Sequence, residues 1–420
     1  IISRCSGYEV GGKTTRNSAR HPRKLMEVSD KYRRDGFRVL ALAYRRFPRR
    51  KRAYGKQDER DLTLMGYMVF LDPPKPSAKM AITSLEAMGI RLKVLTGDND
   101  LVTKKICSEV GIDVSGVALG QQVEGMGDSE LAQLVERTSV FARLTPMQKE
   151  RIIIALKKNG HTVGYMGDGI NDAPPLKQSD VGISVNNAAD IAKETADIIL
   201  LKKSLMVVVD GVVEGRKTHA NIVKYIKMGS SSNFGNMFSV LGASAALPFL
   251  PMQPIQILLN NFLYDVSQIT IPTDNVDAEL VAAPSPWDVG YIKKVMFYLG
   301  PVSSLFDFAT FGICILMGLP AAVFQTVWFL ESLMTQTLVI HVVRTSRLPF
   351  IESRPSRLLL VSSFAIVLLG WAIVYSPFGE YFGFAAPDLS IIPIILGIVI
   401  AYLASMQLAK MWFAKKFGWK

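Results

Sequence analysis

Beyond about Lys202 the chain stops alternating and becomes a series of long apolar stretches, which limits what it can fold into more than any other feature does. A bilayer-spanning helix needs about 20 largely apolar residues, and six stretches approach that: 229–248, 255–271, 295–316, 324–343, 358–375 and 391–411. Inside hydrocarbon only helices and closed barrels satisfy every backbone polar group. Residues 206–420 are therefore expected to form an all-α transmembrane bundle of six helices in a lipid bilayer. The second stretch is short and polar, which predicts a functional, partly unwound span. The hydrophobic content of 49% agrees, being high for a soluble protein.

Six spans place the preceding domain and the C-terminus on one side. The turns at 248–254, 318–324 and 376–390 hold no Lys or Arg, whereas the opposite connections carry Lys293, Lys294, Arg344, Arg347, Arg354 and Arg357, and the tail carries Lys410, Lys415, Lys416 and Lys420. By the positive-inside rule that side is cytoplasmic. The alternative, core helices of a large soluble protein, does not explain the asymmetry.

The formal charge of +12 lies wholly in residues 1–60, which hold 18 Lys and Arg against 6 Asp and Glu. It is densest from Arg45 to Arg52. Such a run is either an anionic-lipid or nucleic-acid patch or a solvated loop of a larger domain; no nucleic-acid fold surrounds it, so no nucleic-acid partner is expected. Cys5, Cys107 and Cys314 are too scattered for a disulfide framework or a zinc site. The chain opens on Ile1 without a signal peptide, and it reads as a fragment.

Between about Leu62 and Lys202 short apolar runs alternate with amphipathic stretches: 62–71, 78–88, 91–95, 100–110, 140–142, 146–158, 162–166, 190–196 and 198–201. That alternation is the pattern of a parallel α/β sheet. Residues 61–205 are read as one α/β domain and 1–60 as the remnant of another.

Three turns in this domain carry chemistry. In Val163–Ala173 two acids and an amide, Asp168, Asn171 and Asp172, stand between an apolar run and a helix start. Magnesium prefers carboxylate, water and phosphate oxygens and is usually shared between one or two acids and a phosphoryl group; alone, the turn reads equally as a capped strand-to-helix connection. The stretch Leu92–Asn99 is a strand running into Thr96-Gly97-Asp98, whose donors suit a phosphoryl oxygen. Pro146 opens a helix that sets Lys149 near the C-terminal edge of the sheet, as a point charge for a phosphorylated carboxylate or as a solvated helix residue.

Taken in order, Asp72-Pro73-Pro74-Lys75, Thr96-Gly97-Asp98, Pro146-Met147-Gln148-Lys149 and Gly167-Asp168-Gly169-Ile170-Asn171-Asp172-Ala173-Pro174 resemble the phosphorylation domain of P-type ATPases, a branch of the haloacid-dehalogenase-like hydrolases. The resemblance implies a Rossmannoid fold in which Asp168 and Asp172 hold Mg²⁺. Thr96, Lys149 and Asn171 then contact an aspartyl phosphate, and Gly97 and Asp98 help place phosphate or nucleotide. Asp35–Ala41 is similar to the end of the family's nucleotide-binding domain and makes Arg38 an ATP contact. Pro175 departs from the family's usual small residue, in a first helical turn where a missing N–H costs little. The Asp-Lys-Thr-Gly-Thr segment that the family phosphorylates does not occur in the chain. The resemblance thus implies the C-terminal part of a pump, inactive alone, whose partner is the missing N-terminal part of the same pump.

The first two spans hold Asn233 and Asn236, and Asn261 and Asp265, each pair on one helix face. Two facing spans would offer amide oxygens and a carboxylate to a hard cation; interhelical hydrogen bonding is the alternative. Asp307 and Glu331 are weaker candidates. Within the family these segments look most like the bacterial magnesium-transporting pumps, implying ATP-driven Mg²⁺ transport across the inner membrane, with ATP and Mg²⁺ as cofactors. A calcium or proton pump, or a non-catalytic truncated membrane protein, are the rival readings.

Overall fold

The computed structural model describes residues 1–16, 21–47, 54–71, 73–202 and 204–419. Most of the basic run, and Asp72 of the first motif, lie outside them. Two compact units divide the chain, Ile1–Gly211 and Val212–Lys420.

The first unit opens with a four-stranded sheet of β1 (Cys5–Val10), β2 (Lys13–Arg16), β3 (Phe37–Tyr44) and β4 (Leu62–Leu71), in the order β2-β1-β4-β3, with α1 (His21–Arg34) against β3. The apolar run at 62–71, which composition groups with the α/β domain C-terminal to it, pairs antiparallel with β3 and parallel with β1. The strand therefore completes the N-terminal sheet.

Then come α2 (Ser77–Ala87), β5 (Val94–Leu95), α3 (Asp100–Val110), β6 (Val117–Leu119), α4 (Gly120–Gly125), α5 (Asp128–Arg137), β7 (Val140–Ala142) and α6 (Pro146–Lys158). The unit closes with β8 (Gly164–Met166), α7 (Ala173–Gln178), β9 (Val181–Val185), α8 (Asp190–Thr195) and β10 (Ile198–Leu200). The α/β expectation holds, as two all-parallel three-stranded sheets, β10-β9-β8 and β5-β7-β6. Both pack around one core: Ala118 and Phe141 from one sheet and Tyr165 from the other meet Ile152, Ile153 and Leu176. Among the described residues β8 and β5 each end their sheet.

The helix starts obey local chemistry. Asn99 caps α3 by accepting from the Leu101 N–H at 2.9 Å. Thr145 and Gln148 form a reciprocal capping box on α6, with Pro146 in the first turn.

The second unit is helical: α9 (Met206–Ala246), α10 (Pro254–Gln268), α11 (Ala278–Ala282), α12 (Val289–Leu316), α13 (Ala321–Leu338), α14 (Ile340–Val343), α15 (Arg357–Val374) and α16 (Ile392–Phe417). All six expected stretches are helical, and four helices are long and apolar enough to cross a membrane: Val289–Leu316, Ala321–Val343, Arg357–Val374 and Leu389–Phe417. The 229–248 stretch is the latter half of the 41-residue α9, and α10 has only 15 residues. Where an unwound span is expected, α10 stays regular to Gln268 and yields to a tight turn at Ile271–Thr273. Helix α13 is the axis of this unit, every residue from Phe324 to Thr337 being buried.

At one end of the bundle Asp274 ties the helices together. It accepts from Lys224 Nζ at 2.7 Å, Arg344 Nε at 2.8 Å and the Ser356 N–H at 3.0 Å, joining α9 to the segments after α14 and before α15.

Candidate functional site

The turn after β8 is built around Asp172. It is 9% exposed; its Oδ1 accepts from Lys149 Nζ at 2.8 Å and the Tyr165 hydroxyl at 2.7 Å, and its Oδ2 from the Gly169 N–H at 3.0 Å. Burial would raise the carboxyl's pKa, but the bonds from Lys149, Tyr165 and Gly169 outweigh it and hold Asp172 below the usual carboxylate range. Burial, with Asp172 as acceptor, pushes the Tyr165 phenol well up. The turn tolerates no side chain at Gly167, where a Cβ would lie 2.5 Å from the Cβ of Asp172.

Asp168 points its carboxyl into the open and fixes its backbone instead, its carbonyl accepting from the Ala189 N–H at 2.9 Å. Ser184 Oγ donates to the Gly167 carbonyl at 2.9 Å, so β9 and the start of α8 hold the acidic turn from behind. Asn171 is exposed on the single turn Ile170–Asp172.

The second turn comes after β5. Thr96 Oγ1 accepts from the Asp98 N–H and donates to Asp98 Oδ2, each at 3.1 Å, and Gly97 and Asp98 are exposed. The turn is stapled to the strand end after β7: the Leu144 N–H donates to the Thr96 carbonyl and the Arg143 N–H to the Asp98 carbonyl, each at 3.0 Å. Arg143 takes a left-handed φ of 56° and its Nε donates to Asp100 Oδ1 at 2.9 Å. Two residues beyond this staple begins α6, whose Lys149 reaches Asp172.

The loops after β5, β7 and β8 therefore form one connected group through Thr96, Leu144 and the Lys149–Asp172 pair. Arg38 stands apart on β3, exposed and opposite Phe70. Sequence reasoning missed Tyr165, whose signal is a hydroxyl in an otherwise apolar strand three residues before Asp168, and Ser184 in β9.

The residues fit a magnesium ion as far as one chain can supply it. Asp168 has an exposed carboxylate, Asp172 accepts from two side-chain donors that a cation could displace and from the Gly169 N–H, and the remaining shell is left to phosphate oxygens and water, the usual arrangement for this ion. Among the described residues no group of three or more His, Cys, Asp or Glu forms a closed metal cage.

In the helical unit Asn233 and Asn236 of α9 and Asn261 of α10 come together. They line a cavity of about 150 Å³ with Asn260, Trp328 and Ser332. Asp265 is not among the lining residues; it is exposed on the flank of α10 below Asn261. Instead Asn260, which sequence reasoning passed over as a ligand, is 4% exposed with its Oδ1 unpartnered, and its Nδ2 donates weakly to Ser332 Oγ at 3.4 Å. Helix α10 thus has two polar flanks: Gln256, Asn260, Tyr264 and Gln268 buried at intervals of four, and Asn261 and Asp265 exposed.

The family model for haloacid dehalogenase-like hydrolases matches residues 14–180, and that for the C-terminus of cation transporting ATPases matches 249–412. The chain is 47% identical to a "Magnesium-transporting ATPase, P-type 1" of Escherichia coli (strain K12) and 48% identical to one of Salmonella typhimurium (strain LT2), in each case over 100% of the chain and 47% of the relative. A "Calcium-transporting ATPase" of Bacillus subtilis (strain 168) is 36% identical over 54% of the chain and 26% of its own length. The chain spans about half the length of the magnesium relatives. With linked acidic and threonine turns on a hydrolase fold followed by a helical cation-ATPase domain, the chain belongs to the P-type cation ATPases.

Proposed function

We propose that this chain supplies the phosphoryl-handling and ion-handling end of an ATP-driven magnesium pump in a bacterial inner membrane, with the α/β unit and the C-terminus cytoplasmic. The observation that carries the reading is the Lys149–Asp172 pair, which joins the loops of the two parallel sheets at the position the family uses for an aspartyl phosphate. A strand bearing the phosphorylated aspartate would take its place beside β8 and β5, each of which ends its sheet among the described residues, and so come next to the turns of Thr96 and Asp168.

In this reading Asp168 and Asp172 hold Mg²⁺, which when bound neutralises charge on the phosphoryl oxygens. Lys149 contributes a fixed positive charge, Thr96 a hydroxyl donor and Asn171 an amide, the first two oriented beforehand by their hydrogen bonds to Asp172 and Asp98. Arg38 contacts ATP from the neighbouring sheet. These groups position and stabilise; the covalent step belongs to the aspartate.

The cargo site comprises Asn233, Asn236 and Asn261, with Asp265 contributing its charge from the exposed flank of α10. A cavity walled by amides rather than carboxylates suits an ion that gives up its water reluctantly, as magnesium does. The identity to a calcium pump favours calcium as the second reading. Uptake by the full-length pump in vesicles separates them: Mg²⁺-stimulated ATP hydrolysis and Mg²⁺ uptake are expected, and stimulation by Ca²⁺ instead would overturn the assignment. The 420-residue chain alone is expected to form no phosphoenzyme from ATP.

A further inference from the structure

A second cavity of the helical unit, about 500 Å³, is walled by hydrophobic side chains alone. Helices α15 and α16 both pack on α13, and the cavity is the groove between them. Met334 and Leu338 of α13 form its floor, Phe364 and Trp371 of α15 one wall, and Leu396 and Leu403 of α16 the other. Leu368 and Ile400 on the rims are each 68% exposed, so the groove opens outward. Its walls are tied to its floor. Trp371 Nε1–H donates to Met334 Sδ at 3.3 Å, and His341 Nε2 lies 2.9 Å from Ser363 Oγ.

Along α16 the lining runs from Ile392 to Leu403, about 16 Å, which gives the groove a mean cross-section of about 30 Å². A helix about 10 Å across needs about 80 Å² and cannot sink into it. A hydrocarbon chain, whose width is set by carbon contacts of about 4 Å, enters singly. Apolarity by itself selects no occupant in a bilayer, because lipid tails are as apolar as these walls. The ends of the groove do select. Near Asp274 all three of its sides turn polar. The α15 face of Phe364 runs two turns back to Arg357, which is exposed. The α16 face of Leu403 runs one turn on to Gln407, whose Oε1 is buried without a partner. One turn past Leu338, His341 is 4% exposed, its Nδ1 is buried without a partner, and its ring stacks 6.2 Å from that of Phe364. At the opposite end Tyr375 already gives its hydroxyl to the Pro387 carbonyl at 2.9 Å.

We propose that this groove is a binding site for one phospholipid, which lays a single acyl chain between α15 and α16 and turns its head group toward Arg357, Gln407 and His341. The second chain stays in the bilayer. A groove that is apolar along its length and polar at one end takes an amphipath in one orientation, and the forked guanidinium of Arg357 suits a phosphate. Polar groups on three helices surround a head larger than a carboxylate, which favours a phospholipid over a fatty acid. The inference rests on the helical unit lying in a membrane and not on which ion is carried.

The test is photolabelling of the full-length pump in detergent with phosphatidylethanolamine that carries a diazirine midway along one chain, read by mass spectrometry. Labelling that saturates at one lipid per pump, on peptides of α13, α15 and α16, is expected. Labelling that fails to saturate, or that spreads evenly over the other outward-facing helices, overturns the proposal whether or not any variant folds. Leu396→Trp, which fills the groove, should abolish the saturable label, and Leu305→Trp, on the exposed face of α12, should leave it unchanged. Arg357→Gln should raise the lipid concentration for half-saturation about tenfold, the loss of one hydrogen bond between charged groups. Unchanged labelling in both Leu396→Trp and Arg357→Gln overturns the assignment. So does displacement of the label by an equal concentration of a fatty acid of the same chain length, or a single-span polypeptide found bound in the lipid's place.

Discussion

Asp172 shows how much one side chain can be asked to do. It anchors Lys149, accepts the phenol of Tyr165 and closes the glycine turn, all with two oxygens. Replacing Lys149 by Met in the full-length pump should lower phosphate release by about 100-fold, the usual cost of removing one preorganised charge or donor at a developing charge. Tyr165→Phe should leave turnover within a few-fold and cost about 1–2 kcal/mol in thermal unfolding, since one charge-assisted hydrogen bond goes. The pH dependence stems from the depressed Asp172 carboxyl. A group whose pKa is lowered on folding contributes stability above its unfolded value, about 3.9 for an aspartate, and loses it as the pH falls through the folded value. Acid unfolding of Asp172→Asn should therefore begin from a lower stability at neutral pH and change less steeply below about pH 4.

At the scale of elements the loops matter more than the strands they extend. Strand β5 has two residues, yet its turn is held by three backbone bonds to the end of β7. The capping box of α6 sets where Lys149 emerges, and Thr145→Ala should cost about 1 kcal/mol. Gly167→Ala should cost about 1–3 kcal/mol and displace Asp172, because the new methyl overlaps the carboxylate stem; denaturant unfolding reads the first and phosphoenzyme level the second. Helices α3 and α6 and strand β7 were fully legible in the sequence because each has a strong local signal: an Asn cap, a Thr-Pro start, or a short apolar run with sharp ends. The division of the strands into two sheets was not legible. Parallel pairing is decided by side chains far apart in the chain, and no local pattern in β5 or β8 says which neighbour each takes.

Across the whole molecule, the change of character after Lys202 was readable because hydrocarbon imposes length and apolarity on every span. What it hid was the inside of the helical unit. The pattern that puts Asn233 and Asn236 on one face is local, three residues along a helix, whereas the meeting of that face with Asn261 and the absence of Asp265 from the cavity lining depend on how α10 packs in the bundle. The Asp274 hub escaped notice for the same reason: its partners Lys224 and Arg344 are 50 and 70 residues away. Asp274→Ala should lower stability in detergent by about 3–5 kcal/mol, read as the fall in melting temperature, because Lys224 and Arg344 are left buried without their shared anion.

The twin polar flanks of α10 also bear on how the protein is made. A segment entering lipid from the translocation channel is sorted by its own apolarity, and a central aspartate alone opposes that by about 2.5–3.5 kcal/mol. With adjacent asparagines about 100° apart on the helix, the lone segment has no way to shield both amides from acyl chains. It must leave the channel already paired with α9 or wait for α13, which ties membrane integration to bundle assembly and makes the order of synthesis part of the fold.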